Sequence, residues 1–72
     1  MSNTGYWIDN GHIFGPRGYT QHWIVDGHIF GTHGYTQCWI KDGHIHSARG
    51  YTECWVDDGH IFGKAENLPW HQ

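Results

Sequence analysis

The chain has 72 residues and a formal charge of −3, with 15% charged and 17% aromatic side chains. That length makes one small domain, 1–72, near the lower limit for independent stability. The acidic balance argues against a nucleic-acid binder, which carries a basic patch, and no apolar run approaches the ~20 residues of a membrane helix.

Self-similarity organises the rest. Trp7, Trp23, Trp39 and Trp55 recur at a constant spacing of 16 residues. They define four units, 2–17, 18–33, 34–49 and 50–65, with a C-terminal cap over 66–72. The shared pattern is G-Y-T-Q-x-W-I-x-D-G-H-I-F-G-x-x, and the first copy keeps Thr4 but has lost the opening Gly-Tyr. Repeat arrays need atypical ends, and Leu68, Pro69 and Trp70 supply one.

Within each unit a β-branched and aromatic run leads into Asn10-Gly11, Asp26-Gly27, Asp42-Gly43 or Asp58-Gly59. Such a pair between two apolar runs predicts a hairpin, because a type I′ turn requires positive φ at both central residues. The turn then sets the pairing: Val25 with His28, Ile24 with Ile29, Trp23 with Phe30. Alternation puts Tyr19, Gln21, Trp23, His28 and Phe30 on one face and Thr20, His22, Ile24 and Ile29 on the other. Gly15-Pro16-Arg17-Gly18 and Gly31-Thr32-His33-Gly34 mark the second turn, and His28–Gly31 should pair across it with 34–37. The expected fold is all-β: four 16-residue β-hairpin repeats forming a coiled antiparallel meander, a barrel or a hairpin stack. The rival is a β-solenoid with 16-residue coils and parallel strands.

The aromatic face is expected to be the core, since Trp–Phe pairs bury the most area. That leaves a wet isoleucine row. The chain is therefore expected to form a homo-oligomer through Ile24, Ile29, Ile40 and Ile45. The Tyr-x-x-x-Trp…Gly…Gly rhythm is loosely similar to MORN repeats and to the aromatic hairpins of cell-wall-binding modules. It differs from both in unit length, and no residue role is transferred.

Chemistry is sparse. Like residues in rows do not make a catalytic centre, which needs unlike groups converging, so no enzyme and no cofactor are expected. His12, His28, His44 and His60 each follow a hairpin turn. Copies two strands apart are too far from each other for one metal, so packing beside the turn is the preferred reading. His44 and His46 form the one H-x-H, a metal half-site with nothing nearby to complete it. Cys38 and Cys54 share the slot before Trp with Tyr6 and His22. They read as free thiols, and with no signal-peptide pattern at the N-terminus they suggest a reducing cytoplasm, of a cell or a phage-infected host.

Binding suits rows. Asn10, Asp26, Asp42 and Asp58 line one edge, whereas Arg17, His33, Arg49 and Lys64 lie at or beside the opposite turns. The leading functional expectation is a non-catalytic repeat protein acting through self-association and binding. The alternative is a module for a small molecule, carbohydrate or nucleotide, with Tyr19, Tyr35 and Tyr51 beside Arg17, His33 and Arg49. Metal binding through histidine is third.

Overall fold

In the computed structural model, which describes residues 2–71, the four hairpins close into one barrel of eight antiparallel strands in sequence order. Long and short strands alternate: β1 Asn3–Asp9, β2 His12–Gly15, β3 Gly18–Val25, β4 His28–Gly31, β5 Gly34–Lys41, β6 His44–Ser47, β7 Gly50–Asp57 and β8 His60–Gly63. A short 3₁₀ turn, Ala65–Asn67, leads into the C-terminal segment. The cap expected over 66–72 includes Gln72, and the domain 1–72 includes Met1; both residues lie outside the described ones.

The Asp-Gly chemistry is expressed at every hairpin. Asn10, Asp26, Asp42 and Asp58 sit at φ of 52°, 55°, 52° and 52°, each followed by a glycine at 79° or 80°. Trp23 pairs with Phe30, Ile24 with Ile29 and Val25 with His28. Each turn is also tied to the next long strand. The Gly11, Gly27, Gly43 and Gly59 carbonyls accept from the N–H of Ile24, Ile40, Val56 and Ile8, all at 2.7 Å. The last of these bonds joins the fourth unit to the first, so the seam carries the same turn-to-strand bond as the other junctions. Antiparallel pairing throughout excludes the parallel solenoid.

Across the second turn the register jumps. Ile13 faces His22 while Phe14 faces Tyr19, so Thr20 and Gln21 form a bulge on β3. The same shift recurs between Ile29 and Phe30 and between Ile45 and His46. Bulges add local twist and bend, the means by which a sheet closes. At each one, and at the matching shift between Asn3 and Tyr6 on β1, a threonine hydroxyl bonds a ladder carbonyl: Thr4, Thr20, Thr36 and Thr52 donate to Ile61, Ile13, Ile29 and Ile45 at 2.6, 2.7, 2.6 and 2.5 Å.

The two faces follow the expected alternation, but the inside is the isoleucine face. Ile13, Ile29, Ile45 and Ile61 are 0% exposed, joined by Cys38, Cys54, Leu68 and Trp70, with Ile8, Ile24, Ile40 and Val56 packed against them. The aromatic face is the outer wall. The four repeat tryptophans are accordingly not the core: Trp7 is 39% exposed and Trp23, Trp39 and Trp55 are half-buried. The reason is volume. An eight-stranded barrel is just wide enough for side chains to fill, and three Trp–Phe pairs and the Trp39–His46 pair do not fit where four isoleucines do. Closure also removes both premises of an isoleucine interface, the wet apolar face and the open edges. Ile29 and Ile45 are sealed inside one chain, and Ile24 and Ile40 pack inward against them.

The barrel is filled unevenly by the slot before each tryptophan. Tyr6 and His22 occupy it on one side, Cys38 and Cys54 on the other. The segment after β8 fits this asymmetry. Asn67 donates its amide to the Thr52 carbonyl at 3.0 Å, and the Cys54 thiol donates to the Lys64 carbonyl at 3.1 Å. Trp70 meets Tyr6 edge-on at 5.8 Å and His22 at 5.5 Å. Leu68 and Trp70, buried with the cysteines, plug this end of the barrel.

Candidate functional site

The outer wall is a band of rings built by the strand register. Trp7 stacks on Phe14 at 6.0 Å, Phe14 meets Tyr19 at 5.3 Å, and His12 lies edge-on to Tyr19 at 5.6 Å. Unit two repeats this with Phe30 and His28 on Tyr35, at 5.3 and 5.5 Å. In unit three His46 replaces phenylalanine yet keeps the geometry: it stacks on Trp39 at 5.8 Å and meets Tyr51 at 5.5 Å. The band lacks its tyrosine at the seam, where Asn3 faces Phe62. Tyr19, Tyr35 and Tyr51 are 43%, 42% and 45% exposed, each touching two neighbouring rings.

Tyr19 and Tyr35 stand beside Gly-x-x-Gly corners and Tyr51 beside the corner Ser47–Gly50, and the first two corners open into clefts. The first, about 450 Å³, is lined by Tyr6, the corner Gly15–Gly18, Tyr19, Thr20, Gln21 and Trp70. The second, about 320 Å³, is the same corner one unit on, with His33 and Tyr35, and is walled by His22 and Pro69. Thus Arg17 and Tyr19 line one cleft, and His33 and Tyr35 the other. Arg49 is exposed at the third corner, where the Ser47 hydroxyl accepts from its backbone N–H at 3.2 Å, and Tyr51 stands on the strand that follows. At the fourth, Lys64 pairs with Glu53 at 3.2 Å on the surface, a contact worth little by itself.

Four features of this end were invisible as site elements in the sequence. Trp70 and Pro69 reach the clefts only because the plug crosses the barrel mouth, and Tyr6 reaches the first as part of the interior slot. The fourth is Gln21. It, Gln37 and Glu53 hold φ of 64°, 65° and 64°, where the first unit has Gly5 at 86°. A left-handed conformation costs an ordinary residue roughly 1–2 kcal/mol, and Gln and Glu lack the local hydrogen bond that eases Asn and Asp there. The signal available was the mismatch between turn spacing and strand spacing, which demands a bulge without naming its residue.

Titration adds one restraint. Burial, the dominant influence, raises the Cys38 and Cys54 thiols above their ordinary range, against smaller opposing contributions from the Thr36 and Thr52 hydroxyls. Both cysteines are free and buried, which makes them poor nucleophiles at neutral pH. His44 and His46 share a strand, but His44 is edge-on to Tyr51 and His46 is committed to its stack. Among the described residues no group of three or more His, Cys, Asp or Glu converges on a metal position. The Trp70 indole N–H is the one buried side-chain polar atom there without a hydrogen-bond partner.

Set against known proteins, the chain matches no family, no curated protein and no solved structure.

Proposed function

We propose that this chain is a non-catalytic binding module whose working surface is the aromatic outer wall, centred on the tyrosines that follow the corners between units. One observation carries the reading. The core is completed by isoleucine, leucine and the plug, so Tyr19, Tyr35 and Tyr51 remain over 40% exposed although each is held in a fixed ring cluster. Rigid, half-exposed tyrosines supply contact area at low entropic cost, as binding surfaces require. The chemistry present is repeated rather than convergent, which suits recognition and not bond-making.

Self-association is a second reading of the same wall. Trp7, Val25 and the tyrosines extend the exposed apolar area beyond the corners, and a second copy offers a matching ring surface. This proposal replaces the isoleucine route with an aromatic one.

The test is the triple variant Tyr19→Ser, Tyr35→Ser, Tyr51→Ser. The expected result is a folded barrel with a cooperative melt. If wild type forms concentration-dependent oligomers in sedimentation velocity, the variant should run as a monomer. A variant that unfolds would show that the tyrosines are structural, and the reading would fall. Wild-type protein that stays monomeric at every concentration would remove self-association and leave ligand binding.

A further inference from the structure

We propose that the cleft between the Gly15–Gly18 corner and Trp70 is a saccharide subsite, taking one pyranose unit of a neutral glycan. The inference rests on the binding-module reading and assigns its ligand class. The starting observation is a backbone that works against its own side chain. Gln21 occupies a left-handed bulge position at φ 64°. Glycine serves the same position without strain in the first unit, yet three of four copies carry a long side chain ending in an amide or carboxylate. Strain of this kind persists where the side chain has a use. Gln21 is exposed, and it lines the cleft together with Tyr19.

The cleft presents complementary halves. Tyr19 offers a 43% exposed ring held in contact with Phe14, tilted at 44°, and with His12, edge-on. Such a face matches the flat C–H surface of a pyranose ring. The Gln21 amide is donor and acceptor at once, as each sugar hydroxyl is. Thr20 cannot take this role, because its hydroxyl is already given to the Ile13 carbonyl. Tyr6 and the plug residue Trp70 close the cleft. At about 450 Å³ it lies in the range of small-molecule sites.

Charge separates this ligand from a nucleotide, whose phosphates would meet a chain of net −3 with Arg17 as the one cationic side chain lining the cleft. The second cleft repeats Tyr35 at the next corner. Gln37 does not line it, so it supplies a ring without the amide; a second ring on the same rim still suits a ligand that itself repeats, since linked weak contacts reinforce each other.

The experiment is a printed array of neutral oligosaccharides of glucose, galactose, mannose and N-acetylhexosamines, probed with the full chain and with Gln21→Gly. Glycine relieves the strain, so this variant should melt at or above the wild-type temperature. Its affinity for the glycans that wild type retains should fall roughly tenfold or more, the scale of a lost pair of amide hydrogen bonds. Tyr19→Ala should remove retention at this cleft. A blank array with wild-type protein would overturn the saccharide assignment. It would leave the binding-module reading standing provided the triple tyrosine variant still folds. Equal retention by Gln21→Gly and wild type would likewise overturn the subsite. Retention that survives loss of all three tyrosines would sink both readings together.

Discussion

Glycine and tyrosine explain each other at the barrel mouth. A Cβ placed on Gly15 would lie 2.5 Å from the Tyr6 ring, and one on Gly31 would lie 2.7 Å from the His22 imidazole. Opposite the smaller Cys38 the same slot tolerates Ser47. Gly15→Ala should therefore destabilise the fold by about 1–3 kcal/mol through overpacking. Combining it with Tyr6→Cys should recover part of that loss, which denaturant unfolding of the single and double variants would measure; strictly additive losses would refute the coupling. The cysteines make a second prediction at this scale. Their thiols are raised by burial, so the unfolded chain gives up these protons at lower pH than the folded one. Their contribution to stability is complete below the ordinary thiol pKa and is lost as pH rises through the raised folded values. Melting temperatures followed from neutral into alkaline pH should fall more steeply for wild type than for Cys38→Ala/Cys54→Ala, and parallel slopes would contradict the assignment.

Hairpins were legible because their determinants are local. Asp-Gly pairs dictated the turn, the turn dictated register, and Trp23–Phe30 and Ile24–Ile29 followed. The bulge was not legible, because it answers to closure of the whole barrel and no residue type announces it. Its threonine is nonetheless specific. The Thr52 hydroxyl donates to the Ile45 carbonyl at 2.5 Å and accepts from the Cys54 N–H at 3.2 Å. Thr52→Val keeps the shape and strands both backbone groups in a site that is 4% exposed. The expected cost is about 1–3 kcal/mol in equilibrium unfolding. Thr36→Val, at a half-buried copy where water can substitute, should cost less. The reverse order would refute the account of the bulge.

Whole-molecule geometry decides which face is inside, and here local reasoning pointed the wrong way. Ranking faces by the area that Trp–Phe pairs bury favours the aromatic face as core, but closure shrinks the interior to a column that isoleucine fills. The corner residues of the candidate site, Arg17, Tyr19, His33 and Tyr35, could be grouped from sequence because repeats place like residues in rows. The cleft walls Trp70 and Pro69 could not, since the plug's path over the mouth is a tertiary outcome. The assignment of faces carries every functional statement made for this protein, and one comparison tests it: the unfolding free energies of Ile29→Ala and Tyr35→Ala. Ile29 is 0% exposed and Tyr35 is 42% exposed. Truncating Ile29 should cost about 2–5 kcal/mol, and truncating Tyr35 about 1–2 kcal/mol, the scale of its two surface ring contacts with His28 and Phe30. A larger loss for Tyr35→Ala than for Ile29→Ala would mean that the aromatic face is the core, and would contradict the account.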